Sequence, residues 1–166
     1  MLQTLTCRPA SADDVAVMAR LRERSGWAGG AGAETMRRYL VGEHHPRQAR
    51  APRAAFVGER AGELVGFVAG HLTERFGCDG EVQWLLVAPA ARGESAATAL
   101  LQALAMWFTT KGAARVCVNV APENARARRF YSRHGAVELS EYWMVWPDIA
   151  AAGRRTAAPV PRESIE

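Results

Sequence analysis

A turn of small residues between a strand and a helix is the first candidate for binding chemistry. It covers residues 87–101 and is rich in alanine, with one arginine, Arg92. Free backbone N–H groups at a helix N-terminus, helped by the helix dipole, form an anion site, and small side chains let a phosphate approach closely. Arg92 adds a positive charge. The alternative is an ordinary turn before an alanine-rich helix.

An acidic residue stands at the start of the strand that leads into this turn. Glu81 opens the strand, and Gln83 lies two positions later, which places both on one face if the strand alternates regularly. A carboxylate whose pKa is raised by partial burial can take a proton from an ammonium group, often through water. Glu81 is therefore the candidate general base, and Gln83 is a candidate for holding the water. A solvated carboxylate after Gly80 is the alternative.

A third candidate is the phenol of Tyr131, in a helix predicted over residues 124–134. Phenols donate protons, so Tyr131 is a candidate general acid. Core packing is the alternative, because Tyr131 shares one helical stripe with Ala127, Phe130 and His134. Asn124 is placed to cap this helix. We interpret His134 as a surface or core residue and not as a catalyst.

The two stretches together resemble the GNAT superfamily of N-acetyltransferases, in particular its small-molecule and antibiotic acetyltransferases. The signature is Arg/Gln-x-x-Gly-x-Gly/Ala after a V-x-P-x-x-R-G turn, and Arg92, Ser95 and Ala97 occupy its three positions. Ser95 replaces the usual glycine. A second hallmark, N-x-x-A-x-x-x-Y-x-x-x-G-F, matches residues 124–135, with Ala136 in place of the final aromatic residue.

The resemblance implies that acetyl-CoA is the acetyl donor and assigns contacts to it. In the family, a strand bulge frees main-chain groups for the pantetheine arm and the acetyl carbonyl, which by position fall to Leu85, Leu86 and Val87. The turn and helix start would bind the phosphates, through Arg92, Gly93, Glu94, Ser95, Ala96 and Ala97. Asn124 would lie beside the arm, and Tyr131 would protonate the leaving thiolate, whose thiol has an ordinary pKa of about 8.5. Trp27 would form a wall for the acceptor, with the anchoring of its loop to the core as the alternative, and Gln83 would also contact the acceptor.

The function implied is acetyl transfer to a primary amine of a small molecule, by direct attack in a ternary complex. Two alternatives stay open. One is acetylation of a protein N-terminus or lysine, and the other is a non-catalytic acyl-CoA-binding module, which the change at Ser95 keeps in consideration. Acidic residues near the expected mouth would favour a cationic acceptor such as an aminoglycoside, a polyamine or an amino acid; they are Glu34, Glu43, Asp79 and Glu81. A homodimer is an open alternative to a monomer.

Composition excludes several other classes. The net charge is +4, but the arginines are scattered or lie on helical faces without interleaved aromatic residues, which argues against nucleic-acid binding. The three cysteines are far apart in sequence and form no CxxC pair, so we expect no disulfide framework, no metal site and a reducing cytoplasmic location. The adjacent pair His44 and His45 lacks further ligands nearby. No segment approaches the ~18 apolar residues of a membrane span, so no membrane association is expected.

Periodicity and turn residues predict the elements that carry these candidates. We expect a strand ending at Pro9, helices over residues 11–26 and 34–43, and a three-stranded meander over residues 54–59, 63–71 and 81–87. A helix over residues 95–111, a strand over 115–120, a helix over 124–134 and strands over 136–139 and 141–146 follow. The crossover helix makes the strands at 81–87 and 115–120 parallel neighbours.

The fold class expected is therefore α/β, also described as α+β. It is the GNAT fold, with a mixed central sheet of six to seven strands flanked by about four helices. The acetyltransferase domain should cover residues 1–149. Residues 150–166 contain almost no large apolar side chain, and we expect them to form a disordered C-terminal tail.

Overall fold

The computed structural model describes residues 4–24, 32–91 and 93–153 and has the expected order of elements. It contains strands β1 (Thr6–Pro9), β2 (Ala49–Arg60), β3 (Glu63–Thr73), β4 (Gly80–Val87), β5 (Val116–Asn119), β6 (Val137–Ser140) and β7 (Trp143–Trp146). The helices are α1 (Val15–Arg24), α2 (Ala33–Leu40), α3 (Glu94–Thr110) and α4 (Ala125–Arg133). The strands form one sheet in the order β1-β2-β3-β4-β5-β7-β6. Only β4 and β5 are parallel, which confirms the mixed sheet and the predicted parallel pair.

Each face of the sheet has its own core. In β3, Val68 faces the cluster that contains α3 and α4, whereas Phe67 and Ala69 face the cluster that contains α1 and α2. In β5 and β7 the same alternation places Val116 and Val118 with α3, and Cys117 and Val145 on the opposite face. The side of the sheet that α1 and α2 cover is called the α1/α2 face below.

Helix α3 lies close to the sheet because the sheet residues beneath it, which we call its floor, include glycines. A Cβ atom at Gly66 would come within 3.0 Å of Leu100, and one at Gly70 within 3.0 Å of Leu104. At Gly80 a Cβ atom would lie only 2.4 Å from the ring of Phe108. These side chains of α3 are fully buried against the glycines, so the helix fixes the position of β4 and of the residues that follow it.

Several boundaries differ from the predictions for local reasons. Helix α2 ends at Leu40 and not at residue 43, because Gly42 adopts φ +82 and the amide of Glu43 turns back to the carbonyl of Arg38 at 2.7 Å. Strand β2 begins at Ala49, within the stretch expected to be a loop, and a bulge between Arg50 and Arg53 accommodates its proline. Early helical residues are capped as expected, by the bond from the Ser11 amide to Asp14 Oδ2 at 2.8 Å.

The C-terminal boundary also lies later than expected. Ile149–Ala151 forms a short 3-10 helix, and Ala152 is fully buried against the α3 cluster, so residues 150–153 pack on the domain. Residues 154–166 lie outside the described residues, as do the glycine-rich residues 25–31. In the described ranges, no helix is long and apolar enough to cross a membrane.

Candidate active site

The sheet opens between its two central parallel strands. Strand β4 pairs with β5 at Gly80, Glu81 and Val82 only, although β4 continues to Val87. Strand β3 pairs with β4 from Gly80 to Val87, on one edge of β4. Within the described residues, the other edge of residues 83–87 has no strand partner. Main-chain N–H and C=O groups along this edge are therefore open to a ligand. The gap is a site where a ligand can add to the sheet by hydrogen bonds to the backbone.

A bulge lies at the point where the strands part. Ala69 pairs with Trp84 and Gly70 with Val82, which leaves Gln83 as the extra residue. The alternation is interrupted there: Glu81 and Trp84, three positions apart, both lie on the α1/α2 face. Regular alternation, on which the expectation that Gln83 shares a face with Glu81 was based, therefore does not continue across the bulge. Leu85 and Val87 pack on the α3 side and Leu86 on the other.

Helix α3 begins directly after the open edge. Its N-cap residue is Gly93, which has no side chain to cap the first amides, so these amides suit an anion. Ser95 lies exposed in the first turn with helical backbone, so the change from glycine introduces no backbone strain. Ala96 is buried and Ala97 half-buried. Arg92 and the side chain of Glu94 lie outside the described part of the chain.

The open edge and the start of α3 fit two parts of a coenzyme A molecule, its amide-containing arm and its pyrophosphate. An elongated ligand with amide groups can pair with the edge of β4, and its pyrophosphate can meet the first turn of α3, which has only small side chains. Leu85, Leu86, Val87 and the backbone of residues 93–97 would hold it. The fit rests on strand pairing and on the glycine N-cap of α3 in this structure.

Helix α4 packs in the same core cluster as Val82 and Val118, where the pairing of β4 with β5 ends. Asn124 caps it as predicted, since its side-chain oxygen accepts a hydrogen bond from the Ala127 amide at 3.2 Å. Tyr131 is buried and stacks edge-on against Trp146 at 5.4 Å between ring centroids. It belongs to the same cluster as Val82 and Val118, the last residues that pair across the two strands. Burial raises the pKa of Tyr131, so the phenol stays protonated and releases its proton less readily than an exposed phenol.

His134 ties α4 to α3. Its Nδ1 donates to the carbonyl of Phe130 at 2.8 Å, so its Nε2 accepts from the Thr98 hydroxyl at 3.0 Å. Thr98 lies in the second turn of α3, just past the proposed phosphate site. Helices α3 and α4 are therefore joined by a side-chain bond, and His134 has a structural role as expected.

Glu81 is a buried carboxylate and not a solvated one, which removes the alternative stated for it. It is 5% exposed. Its Oε2 lies 3.2 Å from Arg75 Nε and 3.3 Å from His71 Nε2. The hydrogen bond from Arg75 is well formed, whereas the His71 nitrogen is buried without a well-aligned partner. Arg75 is in turn anchored to the carbonyl of Arg47 at 2.7 Å.

Tyr39, a buried residue of α2, extends this series of polar contacts. The hydroxyl of Tyr39 lies 2.8 Å from His71 Nδ1. Burial raises the pKa of Tyr39, the Arg53 guanidinium opposes this rise and the Glu81 carboxylate adds to it, so the phenol keeps its proton. A hydrogen bond therefore joins the neutral phenol to the His71 ring. Tyr39 also stacks on Trp84 at 4.9 Å and beneath the Arg53 guanidinium at 4.7 Å.

Sequence reasoning missed Arg75 and His71. A signal for His71 was available, because the meander pairs residue 71 directly with residue 81 once the strands are in register. Arg75 follows from no pattern, since it reaches Glu81 from a short 3-10 helix between β3 and β4.

The acidic residues expected at the mouth are each engaged by nearby donors. Glu34 pairs with Arg37 at 2.6 Å, and Glu43 lies 3.8 Å from the same guanidinium. The carboxylate of Asp79 accepts from the amides of Ala114 and Arg115, both at 3.0 Å. Together with the pair of Glu81 and Arg75, these contacts give each of the four carboxylates a donor within the protein, although Glu34 and Glu43 stay exposed, so the preference for a cationic acceptor stays a prediction.

Other residues singled out in the sequence have plain structural contacts or lie outside the description. Trp27 falls in the residues that the structure does not describe. His45 Nδ1 lies 2.8 Å from Arg53, and the described ranges contain no group of three side chains suited to a metal ion. Cys78 and Cys117, distant in sequence, are buried in one small cluster with Val145.

Comparisons with known proteins agree with this geometry. The model of the Acetyltransferase (GNAT) family matches residues 21–136. Ard1 from Thermoplasma volcanium has a TM-score of 0.70 at 20% identity, covering 85% of this chain and 95% of that chain. A variant of the spermidine N-acetyltransferase SpeG from Vibrio cholerae has a TM-score of 0.66 at 21% identity, covering 91% and 97%.

A third structure was solved with a ligand. The PaiA N-acetyltransferase from Thermoplasma acidophilum, in complex with coenzyme A, has a TM-score of 0.63 at 17% identity, covering 86% of this chain and 98% of that chain. At these identities the likeness shows a shared fold. A search of curated proteins gave no significant match.

Proposed function

Because this chain belongs to the acetyltransferase (GNAT) family, we propose that it transfers an acetyl group to a primary amine of a small molecule, by direct attack in a ternary complex. The family makes it an acetyl-CoA-dependent N-acetyltransferase; the class of acceptor and the roles of individual residues are the proposal. When bound, acetyl-CoA supplies an acetyl group activated as a thioester.

The parting of β4 from β5 after Val82 carries the proposal. It leaves main-chain groups of the half-buried residues 85–87 facing a gap within the sheet, and it leads straight to the start of α3. Main-chain donors of residues 85–87 in this gap would stabilise negative charge on the acetyl oxygen, since they are fixed in place before the reaction. The turn at residues 92–97 would hold the pyrophosphate.

Two side chains on either side of the gap are assigned the proton transfers. Glu81 would take the proton of the ammonium group through water, and its position is held by Arg75 and His71. Tyr131 would donate to the departing sulfur, and its burial keeps it protonated. Gln83 at the bulge and Trp27 remain proposed contacts of the acceptor. Asn124 fixes the start of α4, and through it the position of Tyr131.

Direct transfer is favoured over a covalent acetyl-enzyme by the state of the buried thiols. Cys117 pairs in register with Glu81, so it is the cysteine nearest the proposed base. Burial raises the pKa of Cys117, and the neighbouring Cys78 and Glu81 raise it further. A thiol that stays protonated is a poor nucleophile. Cys117→Ala should therefore retain turnover, and a loss of turnover with acetyl-CoA binding intact would favour a covalent carrier.

Calorimetric titration with acetyl-CoA, followed by thiol release on a broad amine panel, tests the proposal. The panel should include small amines and peptides with free N-termini or lysines. Binding with thiol release on small amines is the expected result. Absence of binding would overturn the cofactor assignment, release only with peptides would favour a protein acceptor, and binding without release on any acceptor would favour a non-catalytic module.

Glu81→Gln separates the proposed base from a structural carboxylate. Turnover should fall most at low pH, where more of the amine needs deprotonation, with little change in acetyl-CoA affinity. Glu138→Gln, which changes an exposed carboxylate of β6, is the matched control and should leave the pH profile unchanged. A Glu81 variant with the parent's pH profile would point to another base.

A further inference from the structure

Two aromatic side chains form an open surface beside Glu81. Phe76, in the short 3-10 helix after β3, stacks edge-on against Trp143 of β7 with 5.0 Å between ring centroids. Phe76 is 51% exposed. The Arg75 guanidinium lies 4.8 Å from the Trp143 centroid and 6.0 Å from that of Phe76. We call Phe76 and Trp143 the aromatic ledge.

The ledge is continuous with the proposed base. Arg75, which contacts both rings, is also the residue that donates to Glu81 at 3.2 Å. Trp143 packs on the cluster of Cys117 and Val145, which lies on the α1/α2 face, and Cys117 pairs in register with Glu81. The ledge therefore begins one side chain away from the carboxylate, on the same face of the sheet.

The backbone at Phe76 is unfavourable for an aromatic residue. Phe76 has φ +54 and ψ +27, in the left-handed region that favours glycine, and Gly77 after it has φ +68. A solvent-facing turn in this conformation has no structural need for a large ring. Strained, exposed residues of this kind concentrate at ligand-binding sites. The ring at position 76 thus points to a ligand.

The electrostatics around Glu81 indicate which ligand suits the ledge. The charge of Glu81 is matched by Arg75, and Glu34, Glu43 and Asp79 each have donors of their own. A second ammonium group of a polyamine would have to compete with these donors for a carboxylate. A flat apolar group would find the exposed face of Phe76, with Trp143 and the Arg75 guanidinium beside it.

We propose that the acceptor is an amine whose carbon skeleton carries an aromatic or similarly flat apolar group, which stacks on Phe76 and Trp143 while the amine lies toward Glu81. This inference rests on the proposed function, because the amine is placed by assigning Glu81 as the base. It goes beyond that function by naming the acceptor class and the residues that select it.

Phe76→Gly tests the ledge with little risk to folding, since glycine accepts the left-handed backbone that phenylalanine does not. The probes are 2-phenylethylamine, n-butylamine and spermidine, compared by the rate of thiol release from acetyl-CoA. The parent should prefer 2-phenylethylamine. In Phe76→Gly its KM should rise about tenfold with kcat nearly unchanged, and the values for n-butylamine should stay the same. Met106→Ala removes an exposed apolar side chain of α3 and should change none of these values.

Trp143→Leu is the second variant, and calorimetric binding of 2-phenylethylamine to the complex with coenzyme A is a readout that needs no turnover. Weakened binding in both ledge variants supports the proposal. A parent that prefers spermidine, or a Phe76→Gly variant with unchanged affinity for 2-phenylethylamine, would overturn it. If amines support thiol release but the ledge variants change neither KM nor affinity, this inference alone is wrong. If no amine supports thiol release, the proposed function is wrong, and the calorimetric binding of 2-phenylethylamine decides whether the ledge binds an aromatic amine.

Discussion

Adding one methyl group at Gly80 should destabilise the domain by an amount that the packing of α3 sets. The new Cβ atom would lie 2.4 Å from Cε1 and 2.8 Å from Cδ1 of Phe108. Carbon atoms in contact prefer separations of about 3.5–4.0 Å, so the ring would have to withdraw by about 1 Å. It cannot withdraw freely, because Phe108 is fully buried and also fills the space over Gly70.

We therefore expect Gly80→Ala to lower the free energy of unfolding by about 1–3 kcal/mol, the usual cost of overpacking. Urea denaturation measures the change. Gly58→Ala is the matched control on the same floor, where the new atom would meet Leu5 at 3.4 Å and Leu100 at 3.5 Å, which are ordinary contacts. It should be nearly neutral. Equal losses in the two variants would refute the reasoning.

Two further measurements complete this test. Shortening the obstructing side chain in Gly80→Ala, Phe108→Leu should recover part of the loss, so that the two substitutions together cost less than the sum of each alone. Gly80 precedes Glu81, and displacement of the strand start would shift the carboxylate relative to Arg75. Turnover should therefore fall more in Gly80→Ala than in Gly58→Ala, and equal turnover would show that the strand start does not position the base.

Three other predictions follow from contacts in and around the site. Tyr131→Phe should lower turnover about 100-fold with acetyl-CoA affinity unchanged, as measured by steady-state rates and calorimetry, and an unchanged rate would remove its role as the acid. Asn124→Ala should cost about 1 kcal/mol of unfolding free energy, because the first turn of α4 loses its cap; an unchanged urea midpoint would contradict this. The Arg8 guanidinium lowers the pKa of Asp14, so the stability that this carboxylate contributes is present above about pH 4 and is lost as the pH falls. Asp14→Asn should therefore destabilise the protein at neutral pH more than at pH 3 in urea denaturation, and an equal loss at both pH values would argue against the pair.

The order of elements could be predicted because each leaves a local pattern. The apolar repeat of α3, the small residues at its start and the glycines of the turns specify helix and strand without knowledge of the fold. The parallel pairing of β4 with β5 follows from the crossover helix between them. The candidate residues on either side of the gap could be proposed because their motifs are short and continuous in sequence.

The features that fix the site electrostatics depend on contacts between distant residues. The resemblance implied a bulge in this strand, but its position at Gln83 could not be predicted, because it arises from how β4 pairs with Gly70 and Ala69 on the neighbouring strand. The partners of Glu81 come from different segments, so spacing could not reveal that the carboxylate is buried and paired. Likewise, the early start of β2 depends on pairing with β3 around a bulge that tolerates a proline.

The short seam between β4 and β5 joins the two halves of the sheet by three residue pairs. One half contains β1 to β4 and the other contains β5 to β7, and the three pairs between β4 and β5 connect them. A long ligand lying in the gap would extend this connection between the two halves. The two halves of the sheet should therefore unfold together when the ligand is bound. Without the ligand, amide hydrogen exchange should show that β5 to β7 open before β1 to β4.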